Sequence, residues 1–275
     1  MKTLKSIFRF YINSSIHVAL AICALVKITF IKFGIPEGYA LLWFSFFCSI
    51  IGYNFVKYSK VAKLYHIRLT RSMKSIRFLT IASGVLLLYF GYQLSYKTLM
   101  YVSPFLALTV LYAIPVFPNK KNLRSVAGVK IFVIALVWAG TTVLVPMIYA
   151  EADLSFNFLI EIIQRFIFIV VLMLPFEIRD MHHDDISLET LPQKIGVTRT
   201  KVFGSILLVV FLLLTAIKQE LSSVEILSTI SITTICLFFL WGTEKKQSEY
   251  YCSFWVESVP IMWLFIVILM QNLFG

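Results

Sequence analysis

The chain has 275 residues, of which 59% are hydrophobic and only 14% charged; soluble domains carry about 25% charged residues, so an ordinary soluble fold is excluded. Its formal net charge of +11 would point to nucleic acid in a soluble protein. Here the basic residues flank apolar spans and no soluble module remains to bind nucleic acid, so the expected partners are membrane lipids, anionic headgroups and phosphates.

Crossing a bilayer takes about 20 predominantly apolar residues. In chain order, nine segments qualify: 7–31, 39–57, 76–95, 98–115, 126–148, 156–176, 202–217, 222–241 and 254–273. The third and fourth are close enough to form a tight hairpin, and the seventh is short. The N-terminus carries Lys2, Lys5 and Arg9, but the apolar stretch runs on to Phe33, and Asn13, Ser14, Ser15 and His17 interrupt any compact signal-peptide core. An uncleaved first helix is therefore predicted. Cys23, Cys48, Cys236 and Cys252 stand apart, with neither disulfide nor zinc-site spacing. The pattern predicts an all-α polytopic bundle of about nine transmembrane helices, forming one integral-membrane domain over 1–275.

Basic residues orient such a bundle. With the N-terminus in the cytoplasm, 20 of the 25 Lys and Arg fall on the inner side and four on the outer, while Arg165 lies within a span. A multi-pass protein of the cell inner membrane is predicted, with the loops near 58–75 and 177–201 on one face. The basic residues of 57–77 read mainly as a headgroup anchor; Lys57 and Lys60 alone are near enough to the bundle mouth to meet a substrate.

The acids are distributed unevenly. None occurs between Gly38 and Ala150, whereas five of fourteen fall between Glu177 and Glu189. On a helix, Glu177, Asp180 and Asp184 share one face. Three carboxylates at a membrane edge repel unless a cation sits among them, and oxygen ligands of this kind suit Mg²⁺ together with substrate phosphates. The rival reading is a solvated acidic helix end neutralised by Arg179 and Lys194. His182 and His183 point different ways on a helix and read as a loop pair. Glu161 and Arg165 form an i, i+4 pair that neutralises itself. Glu257, beside Pro260 in the last span, has no obvious partner and is taken to lie near the outer end; an acid at membrane depth is by default a functional candidate.

The run Glu177-Ile-Arg-Asp180-Met-His-His-Asp184-Asp185, followed by Thr190-Leu-Pro-Gln-Lys-Ile-Gly196, resembles the second aspartate-rich motif of UbiA-type membrane prenyltransferases. Tyr112 followed by Lys120, Lys121 and Arg124 is similar to that family's tyrosine and basic cluster. The resemblance implies a UbiA-like bundle that transfers an isoprenoid chain from a prenyl diphosphate to a lipid-soluble, often aromatic acceptor, using Mg²⁺. It implies Glu177, Asp180 and Asp184 as metal ligands, with Asp180 and Asp184 central to catalysis. Asn54, Lys57, Lys60, Tyr112, Lys121 and Arg124 would meet the substrate. Lys130, one turn into the fifth span, either faces the cavity with them or snorkels to the interface.

One departure stands out. The family's first motif reads Asn-Asp-x-x-Asp-x-x-x-Asp at the end of the second span. Here the matching place is Gly52-Tyr-Asn54-Phe-Val-Lys57-Tyr58-Ser-Lys60, with Phe55 and Tyr58 where acids are expected. Either Lys57 and Lys60 replace a metal-bridged contact by point charges, or the protein binds an isoprenoid lipid or a partner without turnover. A third reading, a cation transporter gated by the acidic cluster, ranks last, because spans two to five hold no acid at mid-membrane.

Overall fold

The computed structural model describes residues 2–62, 71–116, 118, 122–181, 184–219 and 221–274, and among them there are helices and no strand. The first span is not one rod. Helices α1 (Lys2–Asn13) and α2 (Ile16–Lys32) meet at 57°. Between them Ser15 is left-handed, with φ 64°, a conformation that costs a non-glycine residue about 1–2 kcal/mol. The break follows from the polar residues at 14–17, which have partners off the helix. Ser15 Oγ donates to Asn54 Oδ1 at 2.9 Å. His17 contacts the Tyr11 hydroxyl at 2.7 Å and the Phe254 carbonyl at 3.0 Å. The single helix expected over 7–31 is thereby corrected to a bent pair.

Helices α3 (Tyr39–Ala62), α4 (Arg71–Tyr92) and α5 (Tyr96–Ala113) follow, with Ser95 capping α5 by accepting from the Thr98 N–H. The fifth segment is α6 (Lys130–Ala139), a π-helical turn at Gly140–Leu144 and α7 (Val145–Tyr149). Gly140 lets α5 approach this turn: a Cβ there would lie 2.0 Å from the Phe105 ring. The long α8 (Phe156–Asp180) leads through the short α9 (Leu191–Ile195) to α10 (Val197–Ala216) and α11 (Ser223–Trp241). A second π-helical turn, Tyr251–Val256, opens the last span ahead of α12 (Val259–Phe274).

Seven of these stretches are long and apolar enough to cross a bilayer, and the bent α1–α2 pair makes an eighth. Helix α5, 18 residues long, fills the remaining expected segment without joining that set. The architecture is an all-α, multi-pass membrane bundle. Its axis is α8, whose span is 67% buried against 17% for α4, so α8 is the core and α4 faces outward. Phe78, Ile81, Val85 and Leu88 are accordingly exposed on α4, as a lipid-facing surface requires. Within the bilayer, tight packing rather than water exclusion holds helices together. Gly204 shows this. A Cβ there would fall 2.6 Å from Leu240 and 2.7 Å from Leu174, so the missing side chain seats α10 against α8 and α11.

At one end of α8 five charges close on each other. Glu161 receives Lys218 at 2.7 Å, Lys32 at 2.8 Å and Arg165 at 3.0 Å. Lys218 also meets Glu225 at 2.6 Å. Arg165 donates to the Leu25 carbonyl at 3.0 Å, and its guanidinium lies 5.2 Å from the Trp263 ring centre. Glu161 and Arg165 are fully buried. The self-contained pair expected from sequence is thus part of a knot joining α2, α8, α11 and α12.

Candidate active site

The opposite end of α8 borders a cavity of about 750 Å³, within the range of ligand sites. Phe44, Phe105, Trp138, Leu172 and Met173 line its apolar wall. Its polar edge is made where helix ends converge. Lys57 comes from the end of α3, Tyr112 from α5, Arg124 from the following loop, and Lys130 from the start of α6. Glu177, Arg179 and Asp180 come from the last turn of α8, and Glu257 follows the second π-helical turn.

Local geometry explains why Lys130 arrives there. Gly128 is left-handed, with φ 69°, and its N–H donates to the Leu188 carbonyl at 2.9 Å. That bond staples the loop entering α6 to the loop leaving α8. The Lys130 ammonium then lies 3.0 Å from Glu177 Oε1 and 2.9 Å from Asp184 Oδ2, bridging both acids. Asp180 has a different partner. Arg179 grips it at 2.7 Å through Nε and 3.1 Å through Nη2. Asp185 is turned away: hydrogen bonds from Ser187 hold its carboxyl below the usual range. Lys194 pairs with Glu189 at 2.5 Å rather than with the three acids.

The segment of α3 around Asn54 makes contacts of its own. Asn54 is buried and absent from the cavity lining; its oxygen accepts from Ser15 and its Nδ2 donates to Thr80 Oγ1 at 2.9 Å. The expectation that Asn54 orients substrate is not met by this geometry: its oxygen is held by Ser15 at the α1–α2 bend and its amide nitrogen by Thr80 of α4. Tyr58 donates to the Asn13 carbonyl at 3.0 Å, and Lys57 reaches the Ile12 carbonyl at 3.4 Å while also lining the cavity. Residues that stand in the place of a metal motif thus dock the end of α1. Lys120, Lys121, His182 and His183 lie outside the described residues, as does the side chain of Lys60.

The sequence made Glu257 a functional candidate but misplaced it. The acid lies beside Lys57, Arg179 and Asp180 at the polar edge, not at the far end of the last span. The π-helical turn at Tyr251–Val256 begins that span at the edge itself, and such turns recur at functional sites. The available signal was a lone carboxylate at membrane depth.

The donors do not fit the resident Mg²⁺ that the sequence resemblance implies. Among the described residues no three acidic, His or Cys side chains converge. An ion on Glu177 Oε1 and Asp184 Oδ2, at about 2.1 Å from each, would lie no farther than about 5 Å from the Lys130 ammonium. Their repulsion is on the order of 6 kcal/mol or more at an effective dielectric constant of about 20. An ion on these two oxygens therefore competes with Lys130.

Comparison with solved structures gives the fold. A UbiA homolog from Aeropyrum pernix K1, in its apo form, superposes with a TM-score of 0.64 at 12% identity, covering 94% of this chain and 97% of that one. A UbiA homolog from Archaeoglobus fulgidus bound to GPP and Mg²⁺ gives 0.58 at 13% identity, over 96% and 99%. The structure of digeranylgeranylglyceryl phosphate synthase gives 0.57 at 13% identity, over 100% and 99%. No known family profile matches the sequence, and neither does any curated protein. The bundle has the UbiA-like fold, with a cavity edged by cations from the end of α3, the loop after α5, the start of α6 and the end of α8.

Proposed function

We propose that this protein transfers an isoprenoid chain from a prenyl diphosphate to a lipid-soluble acceptor within the membrane. The observation that carries this reading is the apolar cavity of about 750 Å³ with Lys57, Arg124, Lys130 and Arg179 along its edge. Its apolar wall suits a prenyl tail, and its cations suit a diphosphate. The UbiA-like fold, seen elsewhere with GPP or DMAPP bound, supports the same reading.

In the transfer, the bond between the allylic carbon and the diphosphate oxygen breaks, and its electron pair leaves with diphosphate. Lys57 and Arg124, which have no carboxylate partner among the described residues, neutralise that leaving group; Tyr112 borders it. The aromatic faces of Trp138, Phe105 and Phe176 line the cavity in which the allylic cation forms, where they stabilise positive charge and exclude water. The acceptor supplies the electrons for the new bond and gives its proton to Glu257, the free carboxylate of the edge. The polar edge is assigned to the cytoplasmic side, following the distribution of basic residues.

A second reading, retention without transfer, is favoured by Phe55 and Tyr58 in place of acids. Purified protein in nanodiscs with GPP and a lipid extract as acceptor source separates the two. The transferase reading expects diphosphate release, and a Lys57→Ala, Arg124→Ala double variant is expected to release at least 100-fold less. Loss of a charge-assisted hydrogen bond of about 1.5–3 kcal/mol at each position gives that magnitude. GPP retention with no release would establish the binding reading instead.

A further inference from the structure

We infer that the acidic run of α8 works as a counter-ion frame for protein cations, and that a prenyl diphosphate is held at this edge by lysine and arginine without a divalent metal. The inference rests on the diphosphate reading above and specifies how that ligand is held. Three observations carry it. One oxygen of Glu177 (Oε1) and one of Asp184 (Oδ2) face the same Lys130 ammonium, at 3.0 and 2.9 Å. Both oxygens of Asp180 are taken by Arg179. The facing segment of α3 offers Phe55, Tyr58 and Lys57, so the side that would complete a metal cage supplies a cation instead.

The pairing leaves the cations usable. An ammonium has three donors and a guanidinium five. The carboxylates engage only some of those on Lys130 and Arg179, fixing each head group at the cavity edge while further N–H groups remain for phosphate oxygens. Lys57, near Glu257, and Arg124 form no direct ion pair among the described residues and bring further charge to the edge. A diphosphate entering here meets cations oriented in advance, as tight anion recognition requires. Lys130 sits where a metal would otherwise bridge protein and phosphate.

The test uses full-length protein in nanodiscs and GPP as probe, with retention measured in excess EDTA and in Mg²⁺. The inference expects wild-type retention to agree within about 2-fold between the two conditions. Lys130→Met is expected to lose at least 10-fold in EDTA and to recover part of that loss in Mg²⁺, because the freed Glu177 and Asp184 then accept the ion. Mn²⁺ electron paramagnetic resonance on wild-type protein with GPP gives an independent readout that requires no variant to fold; no protein-bound signal is expected. A wild-type loss of 10-fold or more in EDTA, or a bound Mn²⁺ signal, overturns the inference while leaving the diphosphate reading intact. Absence of retention in both conditions overturns the two together.

Discussion

The two ends of α8 carry similar charges in opposite circumstances. At one end Glu161, Arg165, Lys32, Lys218 and Glu225 are packed against one another and against Trp263, and none of them lines the cavity. About 24 Å along the helix, Glu177, Arg179 and Asp180 join Lys57, Arg124, Lys130 and Glu257 around an open volume. Burial opposes the charge of Lys218, yet Glu161 and Glu225 raise its pKa above the ordinary lysine value. That end uses charge to join helices. The other end keeps Lys57, Arg124 and Glu257 without ion-pair partners among the described residues, facing the cavity. Charge at membrane depth does not by itself mark a site; charge that borders an open volume with partners left to find does.

The sharpest way to break this contrast is Glu161→Gln. Removing the shared acid leaves Lys32, Arg165 and Lys218 facing one another in a dry interior. A loss of about 3–5 kcal/mol of stability is expected, as for one partner removed from a buried ion pair. Thermal unfolding in nanodiscs would read it, and a melting temperature equal to wild type would contradict the joining role. Glu257→Gln probes the open end. With one negative charge removed from the edge, GPP retention is expected to tighten about 3-fold, on the order of a single screened charge contact, while the transfer rate falls at least 10-fold and stability stays unchanged. Weaker retention would show that Glu257 supports the diphosphate rather than the acceptor. The smallest effect belongs to the bend. Ser15→Ala removes the hydroxyl that reaches Asn54 and should cost about 1 kcal/mol with GPP retention unaltered; a loss of retention would return Asn54 and the bend to the site.

Much of the fold was legible because membrane spans announce themselves by length and hydropathy. Each of the nine expected segments is helical in the structure. The break at Ser15 was not read from the sequence, although its polar residues were noticed, because the stabilising partners Asn54 and Phe254 lie 39 and 237–239 residues away. The site was legible in part. The spacing of Glu177, Asp180 and Asp184 pointed to the end of α8 that borders the cavity, and Tyr112, Arg124 and Lys130 line it beside Glu177 and Asp180, while Asp184 lies past the end of α8 and outside the lining. Of the cations that meet the acids, Arg179 was legible and Lys130 was not. Periodicity places side chains on a face but does not say what comes to meet them, and Lys130 approaches from a helix start 47 positions away from Glu177.

Composition and the clustering of acids were sufficient to determine a membrane bundle and to single out one polar end as the candidate site, since a bilayer tolerates charge only where something compensates it. The tertiary structure alone decided how that compensation is made. Lys130 reaches Glu177 and Asp184 from α6, Lys57 and Tyr58 of α3 dock the end of α1, and Glu257 enters from the last span. These are contacts between elements distant in sequence, and their geometry exists only once the helices have packed.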